Sequence, residues 1–395
     1  MPLGCSVHNT PLYTALKQAL PGCTIIVATR GLSQATLQHD PHIDHLLTTA
    51  DPTTSLFAAL RVARQLRRTL RQQDLHPTLI LQDASSRAGS FALFAALLRL
   101  APTAGFANAP ALYDTHLPYD PTLSIIDNNL RLLTVLGATP RHVEPAVYFT
   151  PADLAHARTL LADDAVDAQA ATADALGRGQ GASYLPGGSR GLQAPETASS
   201  LGRALAPGTS ECSPTTAFIL QGSGAQPTAW HDDRFAAVIR HAASRGHRIL
   251  YLGTAAEAPT IDRIRALAGN LGTSLAGRTT VPQLAAVLCL CDLAISVDTG
   301  SLHVARATGL PLVILHPCWQ DPLDWLPIYA PNARILRGPH TPTIPPNYRL
   351  DDIPTDAATT ALDDLITLYP PTPAAREART QRLLSTTRAG GSSGL

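Results

Sequence analysis

The chain has 395 residues, 45% hydrophobic and 15% charged, and its 30 basic residues balance its 30 acidic ones. That length accommodates two domains of ordinary size, and that composition is globular rather than disordered. With no net charge there is no basic field for nucleic acid, and no apolar run approaches the roughly 18–20 residues of a membrane span.

The first ten residues, MPLGCSVHNT, lack the basic and apolar regions of a signal peptide, so the cytoplasm is the expected compartment. Contact with a membrane is then peripheral at most. Cysteines are scattered, and no second Cys/His pair completes a metal-ligand pattern around Cys289 and Cys291. Buried free thiols are expected.

Thr24–Thr29 and Thr78–Gln82 are short, β-rich apolar runs, as expected of buried parallel strands. Between them Leu56, Leu60, Ala63, Leu66 and Leu70 recur at helical spacing, with arginines on the other face. A further helical pattern runs through Leu130, Leu133 and Leu136 and ends at Gly137. This alternation predicts a parallel sheet covered by helices, taken as an N-terminal domain over 1–163.

From Asp164 to Ser213 the periodicity dissolves into Ala, Gly, Ser, Thr and Gln, the composition of a flexible linker or insertion. Order returns at Thr216–Gln221, with further strands expected at Arg248–Leu252, Leu293–Val297 and Leu312–Leu315. Helical stretches at Arg234–Ser244 and Val281–Leu290 lie between them. A second doubly wound α/β domain over 214–369 follows, and the tail over 370–395 is expected to be disordered.

The most informative segment is Asp298-Thr299-Gly300-Ser301-Leu302-His303. A strand ends on an acid, a glycine turn follows, and a short helix begins. Such a turn presents backbone N–H groups and the positive end of a helix, which suits a phosphate. In open parallel sheets ligands lie beyond the carboxyl ends of the strands. Two other such ends, Gln221-Gly222-Ser223-Gly224 and Gly253-Thr254-Ala255-Ala256-Glu257, also carry small residues that let a ligand approach the backbone.

At these residues the chain resembles the bacterial heptosyltransferases of the lipopolysaccharide core, the ADP-heptose transferases of glycosyltransferase family 9. The turn at Asp298–His303, then Gly309-Leu310-Pro311 and Trp325-Leu326-Pro327, carry the resemblance, with Leu275-Ala276-Gly277-Arg278-Thr279 as a further match. It implies a GT-B fold: two Rossmann-like domains facing across a cleft, donor in the second and acceptor in the first. It further implies inverting transfer of a heptose-like sugar from a nucleotide diphosphate to a glycan or lipid-linked hydroxyl. Thr299, Gly300 and Ser301 would bond the diphosphate, with His303 beside it and Asp298 orienting the turn. Ser223, Gly224 and Thr228 would form the opposite wall, and Glu257 would accept from ribose hydroxyls. No Asp-x-Asp metal motif occurs, and no metal or cofactor is expected.

The chain departs from the family at three places. Leu3-Gly4-Cys5 through Pro11 matches the family's N-terminal glycine turn, with helical Leu12–Leu20 after it, but Cys5 stands where the family has its general-base Asp. A thiol of ordinary pKa is mostly protonated at neutral pH and replaces a carboxylate poorly. His8 is the nearest imidazole and a weak substitute. The family's phosphate-facing Lys corresponds to Thr228, which brings no charge. The family's first strand precedes this turn, whereas this sequence begins at the turn, so either its start is truncated or misassigned or that strand is lost. Asp83, Asp114 and His116 are further candidates for the acceptor side. Two readings stay open: an active transferase, or a degenerate relative that binds a nucleotide sugar without turning it over.

Overall fold

The computed structural model describes residues 3–106, 108, 110–162, 214–222, 228–344 and 346–385. The expected linker over 164–213 and the candidate residues Ser223 and Gly224 lie outside the described residues.

The N-terminal half opens with α1 (Leu3–Ala19), followed by β1 (Ile26–Thr29), α2 (Leu32–Leu37), β2 (His45–Thr48), α3 (Leu56–Gln72) and β3 (Ile80–Gln82). Then come α4 (Gly89–Leu98), β4 (Thr103–Gly105), β5 (Thr115–His116) and α5 (Ile125–Leu130), the last continued by a 3-10 turn to Leu136. The α3 helix forms where expected, with Ser55 capping its start by accepting from the Ala58 N–H. Of the expected face Ala63, Leu66 and Leu70 are buried together with Ala59 and Val62, whereas Leu56 is exposed and Leu60 only half-buried. Pairing is parallel throughout, but β1–β2 and β3–β4–β5 are separate sheets. A cavity of about 700 Å³ lies between them, lined by β1, β3 and residues of α1, α3 and α4.

One expectation is corrected here. The N-terminal glycine segment is not a turn leading to a helix at Leu12, because α1 is helical from Leu3 and contains Pro11. Proline removes the N–H that would bond the carbonyl four residues earlier. That carbonyl belongs to Val7, and the Thr10 hydroxyl donates to it at 2.8 Å. Thr10 Oγ1 in turn accepts from the Ala146 N–H at 3.0 Å, so helix and proline coexist.

A helix over 151–162, α6, links to the second half. That half comprises β6 (Thr215–Ile219), α7 (Asp232–Ser244), β7 (Arg248–Leu252), α8 (Ala258–Leu267), β8 (Thr273–Ser274), α9 (Val281–Leu290) and β9 (Leu293–Val297). It continues through α10 (Gly300–Thr308), β10 (Leu312–Leu315), β11 (Ala333–Leu336), α11 (Thr355–Leu368) and α12 (Pro373–Leu383). Its six strands form one sheet, ordered β11-β10-β9-β6-β7-β8 and parallel throughout. This is the doubly wound order, with β6 central and the chain direction switching between β6 and β9. Strands β6, β9 and β10 are buried at every residue. Helices cover both faces, so the strands read as continuous apolar runs. Leu154, Ala157 and Leu160 of α6 join this core.

The expected disordered tail is corrected as far as residue 385. Thr372 caps α12 by accepting from the Ala375 N–H. Arg376 makes a two-pronged pair with Asp292, at 2.9 and 2.5 Å, and Arg379 donates to the Cys289 and Cys291 carbonyls at the end of α9. An Arg-rich helix with few apolar residues is held by charge at a helix C-terminus, a signal that hydrophobic periodicity does not carry.

Candidate functional site

Sequence places Asp298 at the end of β9, and topology places β9 beside β6 at the switch point. The first turn of α10 therefore faces the segment after β6. A Cβ on Gly222 would lie 3.2 Å from Thr299 Oγ1 and 3.4 Å from Thr228 Oγ1, so the two hydroxyls converge on the Gly222 backbone. Thr299 is the N-cap residue of α10, yet its side chain makes no capping bond. The hydroxyl and the first helical N–H groups are left facing the switch point, where the helix end carries partial positive charge.

The helix is pinned from behind. Asp298 lies with Oδ2 3.3 Å from His316 Nδ1 and Oδ1 3.8 Å from His303 Nε2. Both contacts lie within ion-pair range without hydrogen-bond alignment, and each acts as a charge pair only when its imidazole is protonated. Burial alone would raise the Asp298 carboxyl, but the two histidines outweigh it and hold it below the ordinary carboxylate range. Burial pushes His303 down to about 4 against the pull of Asp298, leaving the imidazole neutral at pH 7.

The N-terminal half meets this helix through α1. A Cβ on Gly4 would lie 2.5 Å from His303 Cδ2, and one on Gly300 would lie 2.9 Å from Leu3 Cβ. Glycine at both points lets the helices approach closely. His8, one turn along α1, is completely buried, with its ring edge-on to His303 at 4.4 Å and tilted against Trp325 at 5.3 Å. Burial, with His303 and Arg306 nearby, pushes the His8 pKa well below its ordinary value. The imidazole is packed into the joint between the halves, not presented to an acceptor.

The remaining candidates divide. Glu257 is buried, and its Oε2 accepts from the Thr254 N–H at 2.7 Å, so that oxygen caps the turn before α8. Trp230, two residues beyond the candidate Thr228, is a core residue: it is buried and donates to the Ile353 carbonyl at 3.1 Å. Cys5 is half-buried, and burial with the nearby Asp83 carboxylate raises its thiol to about 11. Asp114 is exposed, and its Oδ2 accepts from the N–H and hydroxyl of Thr103. Among the described residues no group of three His, Cys, Asp or Glu is placed to hold a metal, and no helix is long and apolar enough to cross a membrane.

Sequence reasoning missed His316, Arg306 and the partnership of Asp83 with Cys5. His316 follows the apolar run of β10 as Asp298 follows that of β9, a signal that was available. Arg306 is three residues beyond His303 and donates to the Trp325 carbonyl at 3.2 Å, which only the fold reveals.

The model of glycosyltransferase family 9 (heptosyltransferase) matches residues 190–348. The chain is similar to lipopolysaccharide core heptosyltransferase OpsX of Haemophilus influenzae, with 27% identity over 29% of this chain and 36% of that one. It is also similar to lipopolysaccharide heptosyltransferase 3 of Escherichia coli, with 30% identity over 26% of this chain and 32% of that one. These matches span about a third of the length of each relative. In fold it is similar to a family 9 glycosyl transferase from Veillonella parvula, with TM-score 0.71, 17% identity and coverage of 93% and 95% of the two chains. It is likewise similar to E. coli ADP-heptose LPS heptosyltransferase II, with TM-score 0.64, 16% identity and coverage of 93% and 97%. The expected α/β architecture of GT-B type is therefore correct.

Proposed function

From a chain whose residues 190–348 carry a glycosyltransferase family 9 (heptosyltransferase) domain, we propose a specific reaction. It transfers heptose with inversion from ADP-heptose to a hydroxyl of a lipopolysaccharide core acceptor. The observation that carries this reading is the start of α10, where the N-cap hydroxyl of Thr299 is not spent on its own helix and Thr228 and Gly222 stand opposite.

In this mechanism the diphosphate sits on the N-terminus of α10. Backbone N–H groups of Gly300 and Ser301, with the hydroxyls of Thr299, Ser301 and Thr228, bond its oxygens. The helix end stabilises the charge that grows on the leaving ADP as the sugar–oxygen bond breaks. Asp298 and His303 hold the turn rigid rather than touching the reacting atoms, consistent with their burial. The acceptor approaches from the N-terminal half, in line with the departing diphosphate.

The test is ADP release from ADP-heptose with heptose-free core oligosaccharide as acceptor. Saturable release with formation of the heptosylated product is expected. Absence of both binding and release overturns the transferase reading. Binding without release, in a protein folded by its melting curve, favours the nucleotide-sugar-binding relative.

A further inference from the structure

A group that takes the acceptor proton must be a base at neutral pH and must lie where the halves meet. The groups along the α1–α10 contact fail one requirement or the other. The Cys5 thiol, at about 11, keeps its proton. His8 is enclosed, and Asp298 faces His316 and His303. Cys5 has a neighbour of the right kind in Asp83, at the carboxyl end of β3.

The Asp83 side chain is half-buried. Its Oδ1 accepts from the N–H of Ser85 at 2.9 Å and from the Ser85 hydroxyl, which leaves Oδ2 outside both bonds. The loop is fixed to α1 by the buried Asn129. Asn129 Oδ1 accepts from the Ala84 N–H at 2.6 Å, and its Nδ2 donates to Asn9 Oδ1 at 2.9 Å. Asp83 shares a cavity wall with Asn9 and Tyr13, and its charge is felt at Cys5, Tyr13 and Tyr113. Cys5 follows Gly4, which rests on His303. A carboxylate carried by a different strand is therefore held near the part of α1 that carries Cys5 and Asn9, next to the Gly4–His303 contact between the halves.

We propose that Asp83 is the general base of this enzyme, taking the proton from the acceptor hydroxyl in place of a carboxylate at position 5. The inference rests on the transferase reading above. As the acceptor oxygen forms its bond to the anomeric carbon, the bond from that carbon to the diphosphate oxygen breaks. The acceptor proton passes to Asp83 Oδ2, and ADP leaves with the electron pair. Thr299, Ser301 and the α10 N-terminus hold the donor and take no proton.

The test compares wild type, Asp83→Asn, Cys5→Ala and Asp83→Asn/Cys5→Asp in two measurements, ADP-heptose affinity by calorimetry and ADP release with heptose-free core oligosaccharide. Asn keeps an oxygen to accept from Ser85, and unchanged donor affinity reports an intact fold. If Asp83→Asn is lost to misfolding, Asp83→Glu serves, expected to retain turnover with a shifted pH profile. The proposal expects Asp83→Asn to lose about 100-fold or more in turnover, the scale of general-base catalysis, with donor affinity within twofold. Cys5→Ala should stay near wild type, and the double variant should recover turnover. Full turnover in Asp83→Asn, or in Asp83→Glu with an unshifted profile, overturns the proposal and leaves the transferase reading standing. Turnover only when position 5 is Asp overturns it likewise. A wild type that neither binds ADP-heptose nor releases ADP overturns both.

Discussion

In the C-terminal half β6 pairs with β7 on one side and β9 on the other, and six strands become one sheet. In the N-terminal half β1–β2 and β3–β4–β5 follow the same parallel winding but stop short of each other, with a cavity of about 700 Å³ between them. The difference shows what a central strand supplies. Where it is present, the strand ends at the switch point are fixed to one another and can aim a helix N-terminus at a ligand. Where the two sheets stand apart, position is set by helices, and Asn129 and the α1–α10 contact do the positioning. The proposed donor turn is on the half built around a single sheet, and the proposed base is on the half whose two sheets stand apart.

The largest effect should come from breaking the C-terminal half's own clamp. Arg376→Ala leaves Asp292 buried and without its paired cation, which should cost about 3–5 kcal/mol in denaturant unfolding. A loss below ~1 kcal/mol would mean that α12 is not part of the clamp.

Acid should act next, at the joint between the halves. The folded pKa of His303 is about 4, below its ordinary 6.5, so the unfolded chain binds its proton first. Its contribution to stability is complete above pH 6.5 and is lost as pH falls from there towards 4, by about 3 kcal/mol over that window. His303→Gln should flatten this part of the pH–stability curve. An unchanged curve would place the titrating group elsewhere.

A smaller effect is expected from Gly4→Ala, whose new methyl meets His303. Overpacking of this kind costs about 1–3 kcal/mol, and it should weaken donor binding through α10 as well. Finally, amide exchange in the intact protein should protect β6 and β9 more than β1 and β3, because the latter present unpaired strand edges to the cavity. Equal protection would mean that the two sheets are as firmly coupled as the single one.

Legibility followed strand length rather than that division, since β1 and β3 of the N-terminal half were read as well and β8 of the C-terminal half was not. Strands β6, β7, β9 and β10 were readable because burial on both faces leaves long apolar runs. Strands β4, β5 and β8 were not, since Thr103–Gly105, Thr115–His116 and Thr273–Ser274 are too short for any period to show. The start of α1 was hidden by Pro11, which reads as a boundary until Thr10 is seen supplying the missing donor. At the site, Asp298–His303 was legible because strand, glycine turn and helix are contiguous. The neighbourhood of Cys5 was not, because Asp83 reaches it from 78 positions away and only the fold brings them together.

The central claim, that the α10 N-terminus holds a nucleotide diphosphate sugar, is tested most directly by calorimetric titration of ADP-heptose into wild type and Thr299→Val. Wild type should bind at one site, and loss of the hydroxyl to a charged phosphate oxygen should weaken affinity roughly 10- to 100-fold, about 1.5–3 kcal/mol. Equal affinity in both proteins, or no binding in wild type, would contradict it.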